Sequence, residues 1–368
     1  MRVLGVETSC DETAAAIVED GTKIISNVVA SSVNIHAKYG GIIPENAARE
    51  QAKAIIPVIS EAINRANSTW HVARGKNNAT SYELLATSQI EAIAVTVGPG
   101  LIGSLLVGVE TAKTLAFAWN KPIIPVNHLI GHIYANWLIP ENSTWHVAEQ
   151  NNSQKLRATS HEPVLPAVVL LVSGGHTELI LMKNHGKFAW LGGTRDDAAG
   201  ECFDKCARLL GLGYPGGPAI EAAASEIPNS KFQIPKLPRP MINDQSLDFS
   251  FSGLKTAVRN AASPNHLTSY PPNFLAYELQ EAVTDVLVKK TLLAAEKYKV
   301  KNILLAGGVA ANKRLREKFQ TKNSKFQILV PESKLCTDNA AYIASAAYFN
   351  YQPAPWSQIQ ADPSLDID

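Results

Sequence analysis

The chain has 368 residues, 46% of them hydrophobic, and its 34 Lys and Arg against 33 Asp and Glu leave a net charge of +1. This suggests about two domains with ample cores, and the neutral balance excludes a global field that would recruit nucleic acid or an acidic membrane, so RNA binding has to be local or shared with a partner. No apolar run reaches the length of a membrane span, the start enters a strand pattern without the marks of a secretory leader, and four cysteines (Cys10, Cys202, Cys206, Cys336) without C-x-x-C spacing fit a reducing compartment, so a cytoplasmic globular protein is expected.

In chain order, residues 2–8 and 13–18 read as strands joined by the polar turn Ser9, Cys10, Asp11, Glu12, with a third strand, KIISNVV, after Gly21. A hairpin tip bearing hydroxyls and carboxylates can present polar groups to a phosphate or a metal-bound ligand. Over residues 44–66 the positions Ala47, Ala48, Ala52, Ile55, Ile56, Ile59 and Ile63 recur at helical spacing, which predicts an amphipathic scaffold helix. NSTWHVARGKNNATS from Asn67 and its near copy NSTWHVAEQNNSQKLRATS from Asn142 lack a periodic apolar face. They read as surface insertions at about 67–88 and 140–162, without a role for His71 or His146.

Between the insertions, IEAIAVTV is a strand, Gly98, Pro99 and Gly100 a turn, and residues 102–119 a helix, an arrangement whose free N–H groups suit an anion but which alone is a weak signal. His128 and His132 follow, four residues apart, with 129–137 reading as helical. Both imidazoles then project from one face, a metal-ligand geometry that lacks a third ligand; two histidines packed near a helix start is the competing account.

The strand AVVLLV runs into Ser173, Gly174, Gly175, His176, Thr177 and a second strand, ELILM, echoing the first hairpin and pointing to a duplicated domain pattern. A helix over 196–210 holds Cys202 and Cys206 on one face as small buried residues, and ends before a rigid turn containing Pro215, Gly216, Gly217 and Pro218. Asp204 inside it either grips substrate hydroxyls or forms an Asp-Lys surface pair. After DFSFSGLKTAV and a long helix over 273–298, KNILLAGGVAANKRLREKF repeats the strand, Gly-Gly, helix theme, with Gly307, Gly308 and Asn312 suited to a base or ribose. Asp338 stands at a helix start, either as its N-cap or as the oxygen ligand that completes the histidine pair. The Pro-rich, acidic tail from Asn350 is expected to be poorly ordered.

Taken together, ETSCDET (7–13), NHLIGH (127–132), LVSGGHTEL (171–179), DDAAGECFDK (196–205), YPGGP (214–218), DFSFSGLKT (248–256), LAGGVAAN (305–312) and CTDNA (336–340) resemble the TsaD family, the tRNA adenosine threonylcarbamoyltransferases, over residues 1 to about 349 apart from the insertions. The resemblance implies an α/β, duplicated actin-like or sugar-kinase-like (ASKHA) fold, with lobes at 1–126 and 127–349, a cleft between them for the active site, and a tail at 350–368. It implies transfer of the threonylcarbamoyl group from threonylcarbamoyl-adenylate, made by a separate enzyme, to the exocyclic amine of the adenosine next to the anticodon in tRNAs reading A-starting codons. On the family's pattern one divalent metal ion, iron or zinc, falls on His128, His132 and Asp338. The adenylate falls on Leu171, Val172, Ser173, Gly174, Gly175, Asp204, Gly217, Glu221 and Asn312, and Asp11 and Glu12 sit near the metal; the chemistry of the transfer then suggests one of these two carboxylates as the general base, acting directly or through water. Bacterial relatives work with a catalytically inactive paralogue of the same fold and a small ATPase, which are the partners expected alongside tRNA.

Asn127 departs from the histidine that many bacterial members carry there, and the tail lacks their Arg-Pro-rich ending. The dense basic cluster Lys313, Arg314, Arg316, Lys318 is either a phosphate contact or a solvated helix face. Two rivals remain. A zinc protease of the H-E-x-x-H type needs Glu where Leu129 stands, and an ATP-binding kinase or chaperone-like switch of the same fold lacks the His, His, Asp set.

Overall fold

The computed structural model describes residues 1–72, 87–139, 162–227, 236–262, 270–322 and 325–367. Most of both expected insertions lies outside these residues, although the helix before the first runs on through Val72. The strands are β1 (Arg2–Glu7), β2 (Glu12–Glu19), β3 (Lys23–Ser31), β4 (Ala92–Gly98), β5 (Ile123–Asn127), β6 (Ala167–Val172), β7 (Thr177–Asn184), β8 (Lys187–Gly193), β9 (Asn302–Ala306) and β10 (Gln327–Leu329). The helices used below are α1 (Val33–Ala37), α2 (Pro44–Val72), α3 (Ile102–Trp119), α4 (His128–Tyr134), α5 (Ala199–Leu209), α6 (Gly216–Ser225), α7 (Ser252–Ala262), α8 (Pro272–Lys297), α9 (Lys313–Lys322), α10 (Ser333–Cys336) and α11 (Ala340–Phe349). Among the described residues no helix is long and apolar enough to cross a membrane.

The chain forms two compact units, each around one five-stranded sheet. In the first, β1, β2 and β3 form an antiparallel meander and β4 and β5 continue from β1 in parallel, in the order β3-β2-β1-β4-β5. The second repeats the plan: β6, β7 and β8 are the meander, and β9 and β10 are parallel to β6, in the order β10-β9-β6-β7-β8. A parallel strand covered on both faces reads as a continuous apolar run, which is why AIAVTVG of β4 is buried throughout. Leu4 and Val6 of β1 join Ile55 and Ile59 of α2 and Val109 of α3 in the first unit's core. In the second, Val168 and Leu170 of β6 meet Phe203 of α5 and Leu279, Val283 and Leu287 of α8.

Two expectations change. The boundary at 126/127 falls inside the first unit, because β5 leads directly into α4 and the chain returns from the second unit at Thr337. The return is a packing effect: side chains alternate along β1, so Gly5 faces away from Leu4 and Val6, and a Cβ there would stand 2.3 Å from the Ala340 carbonyl oxygen. Only glycine lets α11 lie this close. The tail is also not loose. Ala354 N donates to Ile123 O (3.0 Å), Asp362 N to Val97 O (2.7 Å) and Asn127 Nδ2 to Asp366 O (2.9 Å), while Ile359 is buried in the first unit's core.

Candidate metal centre

The first unit brings its two histidines and Asp338 together by giving the capping work to neighbouring asparagines. Asn127 Oδ1 accepts from Leu129 N (2.8 Å) and Ile130 N (3.3 Å), capping α4. His128 and His132 are thereby left one turn apart with ring centroids separated by 4.6 Å. Asn339 Oδ1 likewise caps α11 by accepting from Ala341 N (3.1 Å) and Tyr342 N (3.4 Å). Asp338 is therefore not the cap: its Oδ1 lies 3.3 Å from His132 Nε2 and 3.7 Å from His128 Nε2. Gly131 permits the approach of the two helices, since a Cβ there would lie 2.7 Å from Ile343 and 2.8 Å from Tyr342.

Among the described residues this is the one group of three His, Cys, Asp or Glu side chains placed to share an ion, with ligand atoms within 4.8 Å of one another. An ion held tetrahedrally at about 2.1 Å has ligand–ligand edges of about 3.4 Å, so two imidazole nitrogens and a carboxylate at these separations fit one divalent metal. The electrostatics agree. Although burial disfavours the cation, the carboxylates of Glu7 and Asp338 push the His128 imidazole up to about 9. Burial, with repulsion from His128 added, moves His132 down despite its bond to Asp338. Against its own burial, Asp338 is held well below the usual carboxylate range by His128 and His132. The carboxylates of Glu7 and Asp338 that favour a proton on His128 would likewise favour a bound cation.

Glu7 was not singled out in the sequence, yet its Oε2 lies 3.1 Å from His128 Nδ1. The available signal was a carboxylate closing the apolar strand RVLGVE. The hairpin tip between β1 and β2 lies in the same unit. Burial, then the charges of Asp338 and Asp11, push Glu12 up to about 10, and Ser31 Oγ donates to its Oε1 at 3.1 Å. Asp11 is 9% exposed. Gln51, also missed, reaches across from α2: its Nε2 donates to the carbonyls of Cys10 (3.0 Å), Glu12 (2.9 Å) and Thr8 (3.4 Å).

The second unit gathers the residues expected to hold an adenylate. A Cβ at Gly307, whose φ of +88° suits glycine, would lie 2.4 Å from Val172 O, and one at Gly200 of α5 would lie 2.5 Å from Ser173 O. Asp204 on α5 accepts from Gly216 N (2.6 Å) at the start of α6, and Glu221 on α6 accepts from Lys313 N (3.1 Å) beside Asn312. These contacts close a ring through the β6–β7 turn, α5, α6 and the β9–α9 turn. Around it, a Cβ at Gly174, Gly175, Gly217 or Gly308 would meet nothing within 4 Å, which leaves room for a ligand against backbone. Leu171 and Val172 end β6 with 0% exposure, so both side chains are buried, on opposite faces of the sheet. Asn312 Oδ1 caps α9 through Leu315 N (2.9 Å) and its Nδ2 donates to Gln280 (3.0 Å). Asp204 is no surface partner of Lys205, which binds Asp197 and Glu201 at 2.7 and 2.8 Å; burial raises the Asp204 carboxyl.

The basic cluster is neither a solvated face nor an open phosphate site. Lys318 is 3% exposed and bonded to Glu281 and Asp285 of α8, Arg314 binds Glu281 and Glu317, and Arg316 donates to the carbonyls of Ala310 and Pro331. Only Lys313 of the four is largely exposed, at 84% of its side chain.

Two sheets of identical order, each a meander continued by two parallel strands, define an α/β protein of the duplicated actin-like, ASKHA class. Among solved structures, T. kodakarensis HypF is similar over 95% of this chain and 47% of its own, with a TM-score of 0.54 at 14% identity, and full-length HypF in its phosphate- and nucleotide-bound form gives 0.52 over 95% and 46% at 11% identity. These likenesses concern the fold alone. The family model for tRNA N6-adenosine threonylcarbamoyltransferase, TsaD, matches residues 23–75, 77–148 and 150–345. The enzyme of that name from Thermomicrobium roseum is 47% identical over 100% of this chain and 95% of its own, and the one from Geobacillus thermodenitrificans is 45% identical over 99% and 96%. The chain belongs to the TsaD family of enzymes.

Proposed function

We propose that this chain transfers the threonylcarbamoyl group of threonylcarbamoyl-adenylate to the exocyclic amine of the adenosine next to the anticodon in tRNAs reading A-starting codons, breaking the acyl–phosphate bond and releasing AMP. The observation that carries this reading is the convergence of His128, His132 and Asp338 within 4.8 Å in a member of this family. When bound there, one divalent ion, iron or zinc, would supply Lewis acidity toward the oxygens that gain charge during transfer.

The protein's own residues do the rest. In the turn that follows the buried Leu171 and Val172, Ser173 N donates to His176 O (2.9 Å), Gly174 and Gly175 offer backbone N–H groups to the adenylate, and the open glycine Gly217 makes room beside them. Asp204 and Glu221 hold the α6 and α9 ends of the same ring, with Asn312 setting the α9 turn. Glu12 or Asp11 takes the proton from the amine; burial first, and then the charges of Asp338 and Asp11, raise Glu12, and a cation bound at the cluster would offset the Asp338 part of that shift. With a net charge of +1 and three of its four clustered cations bonded internally, Arg314 and Lys318 to carboxylates and Arg316 to carbonyls, the chain docks tRNA with help, and a catalytically inactive paralogue of the same fold and a small ATPase are the partners proposed for it in the cytoplasm.

Metal analysis of protein purified without chelators tests the centre. One ion per chain is expected in the parent, and Asp338→Ala should lose it while binding threonylcarbamoyl-adenylate in calorimetry within a few-fold of the parent. Full metal occupancy in Asp338→Ala would refute the assignment.

A further inference from the structure

Glu7 is neither one of the three side chains placed to share an ion nor one of the residues given a part in the transfer. It is fully buried at the end of β1, where a carboxylate is tolerated only if its oxygens find partners. Oε1 accepts from Ser9 N at 2.5 Å, and Oε2 accepts from Thr96 Oγ1 of β4 at 2.5 Å and lies 3.1 Å from His128 Nδ1. Ser9 Oγ stands 3.1 Å from that same nitrogen. Pairing of β1 with β2 on one side and β4 on the other keeps the strand from turning the side chain elsewhere. A carboxylate oxygen only accepts, so Nδ1 of His128 carries the hydrogen in this contact and Nε2 is the nitrogen left toward Asp338, 3.7 Å away. His132 differs: its buried Nδ1 has no hydrogen-bond partner among the described residues.

We propose that Glu7 is a positioning residue of the metal centre, locking His128 in the Nδ1–H tautomer and in the ring orientation that presents Nε2 to the ion. The Ser9 amide and the Thr96 hydroxyl aim the carboxylate, and the β1 strand end thereby sets metal affinity without touching metal or substrate. A carboxylate behind a ligating imidazole makes it more basic and holds its orientation, and losing such a partner lowers affinity by about 10- to 100-fold. This inference rests on reading the His128, His132, Asp338 cluster as a metal centre.

The test measures zinc affinity of the full chain, stripped and reloaded, by competition with a chromophoric chelator. Glu7→Gln, which keeps the shape but places an amide against Nδ1, should weaken zinc by about 10- to 100-fold. Thr96→Val, which removes one bond that aims the carboxylate and leaves His128 untouched, should weaken it less and in the same direction. A folded Glu7→Gln protein that binds zinc as tightly as the parent would overturn the role of Glu7 and leave the metal centre standing. A parent chain that does not bind zinc at all would overturn both. Imidazole NMR of the zinc-loaded parent needs no variant that folds: a downfield Nδ1–H on His128 with zinc on Nε2 is expected, and zinc on Nδ1 of His128 would overturn the proposal.

Discussion

The proposed metal centre depends on which of two adjacent residues does which task. Asn339 caps α11, and Asp338, one residue earlier, is thereby free to face the histidines. Asn127 and His128 divide the same labour at α4. Asn339→Ala should cost about 1 kcal/mol of stability through the lost cap and should weaken metal binding by loosening Asp338; urea unfolding and chelator competition on the same protein check both, and an unchanged metal affinity would show that Asp338 is held by other contacts. At this scale the pairing of His128 with His132 was legible in the sequence because helical spacing is a local signal, while Asp338 stood there as either a helix cap or a ligand and only the family resemblance joined it to the pair. Glu7 and Gln51 were not legible, because their significance lies in partners 121 and up to 43 residues away.

Among the elements, the order of strands and helices followed from apolar periodicity, and the bounds shifted by few residues: a helix expected over 196–210 is α5 from Ala199 to Leu209. What periodicity does not carry is which element covers which. The tail was expected to be loose from its Pro-rich composition, yet one buried Ile359 and backbone bonds to β4 and β5 pin it down. The basic face of α9 was unreadable for the same reason, since its counter-charges sit on α8. β1 and α11 approach closely at Gly5, where an added Cβ would meet backbone rather than a flexible side chain. Gly5→Ala should therefore push α11 outward, costing about 1–3 kcal/mol and displacing Asp338 from the histidines. Thermal unfolding and metal titration read the two effects, and a variant that matches its parent in both would mean that α11 accommodates the methyl in place.

For the whole molecule, duplication was legible as repeated hairpins and Gly-rich turns, and the two sheets share one strand order. The lobe boundary was not, because the chain leaves the first unit and returns to it for α11 and the tail. Stability of the second unit includes a buried ionic network. Against the effect of its burial, bonds from Lys318 and Lys322 hold Asp285 down to about 2. A carboxyl whose folded value is depressed contributes stability that is complete above its unfolded value, near 4, and disappears as pH falls through about 2. Urea unfolding over that range should show the loss, and Lys318→Met should cost about 1.5–3 kcal/mol at neutral pH through its lost charged hydrogen bonds, since Arg314 still pairs Glu281 and Lys322 still pairs Asp285, with a shallower fall in acid. An acid slope identical to the parent's would remove the network from the account. The transfer reaction itself is most directly tested by mass analysis of tRNA nucleosides after incubation of the chain with threonylcarbamoyl-adenylate, metal, tRNA and the proposed partners. The parent is expected to form threonylcarbamoyl-adenosine and Asp338→Ala none; modification at the parent's rate by Asp338→Ala, or none by the parent with every component supplied, would contradict it.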